Sequence, residues 1–245
     1  MLVTAVVLPQ PPVLVPDVAS GAASELDQVR EACRDALSHV DQARRDGCDI
    51  VVVGGGPERC TFAPGATGSF AGFGVPVEVT LPGVPKQPTT ARLPVSLSVA
   101  SWLMRQVGPW DSAGGTLRAE SVPFDLPRAD AIALGAAWAS STDRLALVVM
   151  GDGSSALSAK APGYLVPGAE EWQSVVTSAL AGGDVATIAQ LRQDDSARFG
   201  AAGRSAWQVL AGAAAEATVR GNLLASDTRY GVAYVVARWT TDATT

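Results

Sequence analysis

Residues 2–8 (LVTAVVL) form a continuous β-branched run, the pattern of a strand covered on both faces. The PQPPVLVP that follows predicts an extended loop, because each proline disfavours helix in the residue before it. From Ser24 to Arg45 the apolar positions Leu26, Val29, Cys33, Leu37 and Val40 recur at three- and four-residue steps. That spacing predicts an amphipathic helix with Ser24 as its N-cap. Ile50 to Val53 then read as a second buried strand, and Gly54, Gly55 and Gly56 as the start of a loop. A strand, a helix and a strand in this order predict parallel strands joined by a right-handed crossover.

The stretch from Gly65 to Pro94 is rich in Gly, Pro and Thr, with one alternating segment at 75–81 that predicts a strand. Further on, helix is expected over 97–107, strand over 117–124, and a strand running into a turn over 131–140 (AIALGAAWAS). LALVVMGDGSS at 145–155 repeats the combination of apolar strand and glycine loop. Helical spacing returns at 167–182 and 185–191, and the alanine-rich stretch 205–220 predicts another helix. YGVAYVVARW (230–239) reads as a closing strand. With no repeat or linker evident, the expectation is a single α/β domain over 1–245, its central mostly parallel or mixed β-sheet flanked by helices.

Composition narrows the function classes. Apolar residues make up 47% of the 245 and charged residues 17%, which suits a chain with a substantial core rather than a disordered one. A net charge of −6, with Lys and Arg scattered, supplies no basic field for nucleic acid. Cys33, Cys48 and Cys60 fit neither a disulfide framework nor a zinc knuckle, so a reducing cytoplasm is the expected location. The apolar start lacks a basic leader and is cut by Pro9, Pro11, Pro12 and Pro16, which argues against a signal peptide, and no run is long enough to predict a membrane span.

Candidate chemistry is sparse. His39 is the single histidine, so a site built from two or three imidazoles cannot be assembled within one chain. The glycines at 54–56 match neither the dinucleotide fingerprint nor the phosphate loop, and read as a turn. No G-x-S-x-G elbow presents a serine nucleophile. Cys60 stands beside Arg59, whose charge would favour a thiolate, although a small buried thiol is the commoner role. Asp152 sits at the end of a strand, where the sites of α/β proteins gather, and the same position suits a turn-former. Trp102, Trp138, Trp172 and Trp207 lie in apolar patterns and read as core.

Taken in order, PQPPVLVP, VVVGGGP, LGAAWAS, MGDGSSALSAKAPGYL, AGRSAWQVLAGAA and YGVAYVVARW resemble the LigB-type class III extradiol ring-cleavage dioxygenases and their Memo-like relatives, in an alanine-rich actinobacterial branch. The resemblance implies a non-haem Fe(II) centre in active members, and it places Gln10 where the first ligand histidine would stand. It places Gly56, Pro57 or Glu58 at the second ligand, Ser155 at the acid–base histidine with Asp152 and Ser154 retained, and Ala202 at a metal-site cysteine, with Arg204 nearby in the cleft. None of these replacements supplies the original chemistry. The resemblance therefore implies a dioxygenase-like protein without metal cofactor or ring-cleavage activity, binding an unidentified small molecule or acting in regulation.

Three alternatives stay open at this level. Asp152, Ser155 and Glu58, with Cys60, could run different chemistry in the same cleft. Glu58, Asp152 and Gln10 could form a weak oxygen-only site for Mg²⁺ or Ca²⁺. The chain could also be a non-catalytic subunit or a homo-oligomer, with the Gly/Pro-rich stretch 63–94 as an interface or lid.

Overall fold

The β-branched runs of the sequence become the centre of one sheet in the computed structural model, which describes residues 1–111 and 114–242. From the amino terminus the chain runs β1 (Leu2–Leu8), a 3-10 turn at Pro12–Leu14, α1 (Pro16–Ala19), a 3-10 segment at Ser20–Leu26, α2 (Asp27–Arg45), β2 (Asp49–Gly56), β3 (Cys60–Phe62), β4 (Thr67–Ser69) and β5 (Glu78–Thr80). It continues through α3 (Val95–Arg105), β6 (Leu117–Pro123), α4 (Arg128–Ser141), β7 (Leu145–Met150) and α5 (Ala169–Gly182). The last part comprises α6 (Val185–Ala189), α7 (Gln193–Arg198), α8 (Arg204–Ala213), β8 (Val219–Asp227) and β9 (Tyr234–Thr241). No helix among the described residues is long and apolar enough to cross a membrane.

The sheet is seven-stranded, in the order β3-β6-β2-β7-β1-β9-β8. Its four central strands β6, β2, β7 and β1 are parallel, while β3 on one side and β9 and β8 on the other run antiparallel to their neighbours. β1 and β2 are parallel as expected, but β7 is inserted between them. The path of the chain determines where the helices lie. From β1 to β2 to β6 it moves across the sheet in one direction, through α2 and α3; from β6 to β7 it comes back, through α4. Right-handed crossovers require the helices of the two directions to cover opposite faces. Accordingly Leu8, Ile50, Val52 and Val148 pack with α2 and α3, and Val7, Val51, Val53 and Val149 pack with α4, α5 and α8. Adjacent valines of one strand thus serve different cores, the alternation a pleated strand imposes.

This layout makes the connections of one pair of neighbouring strands diverge. β1 and β7 are neighbours, yet the chain leaving β1 leads to α2 on one face and the chain leaving β7 leads to α5 on the other. Diverging connections at the carboxyl ends of adjacent parallel strands define a topological switch point, the usual place for a ligand in an open α/β sheet. Gln10 follows β1 there, and Asp152 follows β7.

Several elements differ from the sequence pattern. Residues 131–140 belong to helix α4 and not to a strand; the segment is alanine-rich, which favours helix, and Gly135 allows α4 to lie against α8. Gly54–Gly56 stay within β2, paired with Ser121, Val122 and Pro123, and do not open a loop. Their missing side chains leave room for neighbours: a Cβ on Gly54 would be 2.8 Å from Ser96 Oγ, one on Gly55 2.2 Å from the Phe124 ring, and one on Gly56 2.8 Å from Ser121 Cβ. The helix expected over 205–220 ends at Ala213, and Val219–Asp227 forms the edge strand β8. Ser24 caps nothing, since α2 begins at Asp27 after a 3-10 segment. The loop after β1 is tightened by a 3-10 turn and α1 instead of running extended. The strand of 75–81 shrinks to β5, which pairs with β4 outside the main sheet.

Candidate functional site at the carboxyl end of the sheet

The switch point is held by main-chain hydrogen bonds. Gly151 N–H donates to Leu8 O at 2.9 Å, carrying the β1–β7 pairing past the end of both strands. One residue further, Gln10 N–H donates to Asp152 Oδ1 at 2.9 Å, and the Asp152 carbonyl accepts from Gly203 N–H at 2.9 Å. Asp152 therefore ties the loops after β1 and β7 to the start of α8. Gly151 is required at this junction, because a Cβ there would lie 2.5 Å from Gly203 Cα and 2.9 Å from Trp207 Nε1.

The electrostatics of Asp152 are unusual. The carboxylate is partly exposed by surface area, yet dense protein surrounds it, and burial pushes its pKa from 3.8 up to about 7 against the opposing hydrogen bond from Gln10. No Lys, Arg or His pairs with it among the described ion pairs. Gln10 is only 8% exposed and its Oε1 is buried without a hydrogen-bond partner, an uncommon and costly condition. Tyr234, at the start of β9, is 3% exposed; its phenol is pushed up first by burial and then by the negative charge of Asp152.

The remaining positions singled out by the sequence scatter around this centre. Ser154 is spent on structure, its hydroxyl donating to Phe199 O at 2.9 Å and its N–H to Gln173 Oε1 at 2.7 Å. The Ser155 hydroxyl donates to Gly200 O at 3.1 Å. Ala202 lies just before Gly203, half-buried. Arg204 is 2% exposed and donates to Phe124 O at 3.1 Å, Leu126 O at 2.9 Å and Gln208 Oε1 at 2.7 Å, so it pins the β6–α4 connection to α8. Gly56 ends β2. The Glu58 side chain is exposed while its carbonyl accepts from Ser121 Oγ at 2.7 Å, and Cys60 pairs with Ser121 across β3 and β6. β6 is two strands from β7 and β3 is three, so Glu58 and Cys60 lie roughly 10–14 Å from Asp152 at the usual strand spacing.

Asp152, Ser155 and Glu58 are thus not brought to a common point. His39 lies on α2, half-buried, its pKa lowered by burial and then by Arg238. Trp138 and Trp207 are core residues, while Trp102 and Trp172 are half-buried against the cores. A cavity of about 580 Å³ lies at the opposite, amino-terminal edge of the central strands, between Met1, Ala136, Ala213 and Asp242. Its size suits a small molecule, but its walls are mainly small side chains and Asp242 is already paired with Arg220 at 3.2 Å. The switch point carries the more distinctive chemistry.

A non-haem iron centre needs converging imidazole and carboxylate donors. The positions discussed supply an amide at Gln10, no side chain at Gly56, a hydroxyl committed to Gly200 at Ser155 and a methyl group at Ala202. No three His, Cys, Asp or Glu among the described residues come together in a metal-holding geometry. This donor set does not fit iron. Nor does the spacing of Glu58 from Asp152 allow both carboxylates to share one Mg²⁺ or Ca²⁺ with Gln10.

Tyr234 was not among the residues the sequence pointed to. Its only signal is an aromatic within the closing strand pattern, which reads as core until the pairing of β9 with β1 places it near the carboxyl end of β1.

No family model matches the chain, and no curated protein matches it. Among solved structures, it is similar to the uncharacterized protein JW3007 from Escherichia coli K12, with 12% identity over 97% of this chain and 99% of that one and a TM-score of 0.46.

Proposed function

We propose that this chain is an extradiol-dioxygenase-like protein that has exchanged its metal centre for a polar, metal-independent binding site, and that it binds a small molecule at the carboxyl ends of β1 and β7. The observation that carries the reading is the Gln10–Asp152 pair, in which a carboxylate without a counter-cation accepts from the main-chain N–H of a residue whose own amide oxygen is buried without a partner. Buried polar groups left in this condition are costly unless something satisfies them. In the LigB-like resemblance, the same loop after β1 would carry a ligand histidine, so Gln10 in its place supports a change of ligand.

The test is a ring-cleavage assay. Untagged protein loaded anaerobically with Fe(II) is mixed with catechol and then exposed to O₂, and the absorbance of the ring-opened semialdehyde is followed. The expected rate equals that of Fe(II) alone. A protein-dependent rate that disappears in Asp152→Asn would overturn the reading.

A further inference from the structure

We propose that Asp152 is a pH-operated latch on the loop after β1, holding residues Pro9–Pro12 closed while its carboxyl is protonated and letting them open when it ionises. Geometry gives the first argument. Because Pro9, Pro11 and Pro12 have no N–H, this segment owns a single main-chain donor, on Gln10. That donor goes to Asp152 Oδ1 at 2.9 Å, and among the described residues it is the segment's one hydrogen bond to a distant part of the chain. On either side the chain is held firmly, by Gly151 N–H on Leu8 O at 2.9 Å and by Arg30 on Leu14 O at 3.3 Å. The four residues between form a strap fastened at one point.

The second argument is what closure costs. In the closed form Gln10 Oε1 is buried without a partner, and dense protein surrounds an Asp152 carboxyl that takes part in none of the described ion pairs. Lifting the strap hydrates both groups at once, in exchange for one hydrogen bond and the burial of Pro9 and Pro11. No neighbouring group holds the charge in place. Tyr234 of β9 stays a neutral phenol, pushed up by burial and by Asp152 itself, while next to it Asp227 is paired with Arg229 at 2.6 Å and Tyr230 donates to Glu25. Arg204 of α8 is turned to the Phe124 and Leu126 carbonyls. The closed carboxyl keeps its proton up to about pH 7, whereas a hydrated one releases it near 3.8. Closure is therefore strongest near pH 4, weakens as pH rises to about 7 and levels off above it. As regulation the latch rests on the reading of the switch point as a binding site, but its test involves no ligand, so the two can fail separately.

Hydrogen exchange of the Gln10 amide measures opening. It is followed by NMR in the full untagged chain and compared with the rate of an unstructured chain at the same pH. Between pH 5 and pH 8 the protection of Gln10 is expected to fall at least tenfold in the parent. In Asp152→Asn, whose side-chain oxygen still accepts the bond but cannot ionise, it should change less than twofold, and at pH 8 the variant should protect Gln10 at least tenfold better than the parent. Low urea separates opening of the strap from unfolding of the molecule. Gln10 exchange should be the same without urea and in about 1 M urea, while that of Val6 in β1 should rise. Protection that is flat from pH 5 to pH 8, that falls equally in Asp152→Asn, or that drops with urea in step with Val6 overturns the latch. The binding-site reading is decided apart from it, by ring cleavage and metal affinity.

Discussion

Gly135→Ala is expected to destabilise the protein by about 3 kcal/mol, even though alanine is the better helix former by about 1 kcal/mol. The reason is the contact between α4 and α8. A Cβ on Gly135 would sit 1.9 Å from Val209 O and 2.6 Å from Ala213 N, and one on Gly212 would sit 2.1 Å from Ile132 O. The obstructing atoms are main chain on both sides, so no side chain can rotate away. The helices must separate, and the core beneath them, including Trp207, Leu210 and Val53, loses its close packing. For a chain of this length the loss corresponds to a fall in Tm of roughly 6–12 °C. Gly212→Ala should cost a similar amount, and the double variant less than the sum, because one displacement relieves both clashes. Thermal denaturation of the three variants is the check. An unchanged or higher Tm for Gly135→Ala would show that the helices are not in main-chain contact.

Asp152→Asn should stabilise the protein above pH 7 and hardly change it near pH 4. A carboxyl whose pKa is raised from 3.8 to about 7 on folding keeps a proton in the native state that the unfolded chain releases. Between these values the native state binds more protons, so stability falls as pH rises, and the full cost is present only above pH 7. At about 1.4 kcal/mol per pKa unit the ceiling is roughly 4 kcal/mol. Because some solvent reaches this carboxylate, about 2 kcal/mol is the expected gain at pH 8, or roughly 4–8 °C in Tm. Asparagine still accepts from Gln10 N–H, so the loop connection survives. Urea denaturation of parent and variant from pH 4 to pH 8 measures the effect. Parallel stability curves across that range would mean that Asp152 titrates as an ordinary surface aspartate.

Much of the fold was legible because its central strands are β-branched runs too apolar for an exposed face. LVTAVVL, IVVV and LALVVM become β1, part of β2 and β7, and α2 follows from its three- and four-residue spacing. The failures share a cause, which is that tertiary contacts override local pattern. AIALGAAWAS has no helical stripe because α4 uses alanines and Gly135 to approach α8 through its backbone. β8 escaped notice as an edge strand with a bulge between Leu223 and Ala225 and with little burial to enforce alternation. Gly54–Gly56 looked like a loop because the neighbours that fill their missing side chains come from residues 96, 121 and 124. Of the site, Asp152 and Gln10 could be picked out by their place after apolar strands. Their mutual hydrogen bond, the unpartnered Oε1 and the approach of Tyr234 depend on β7 inserting beside β1 and β9 returning on its other side. No local pattern encodes that.

The central claim is that the groups at the carboxyl ends of β1 and β7 form a polar site with no capacity to hold a catalytic transition metal. Metal affinity tests it most directly. Untagged chain, stripped with chelator and dialysed, is titrated calorimetrically with Fe(II), Mn(II) and Zn(II) under anaerobic conditions, beside the Asp152→Asn variant. The expected result is no stoichiometric site tighter than about 100 μM, equivalent to roughly −5 kcal/mol, and no difference between parent and variant. One equivalent of metal bound with micromolar or tighter affinity, and lost in Asp152→Asn, would contradict it.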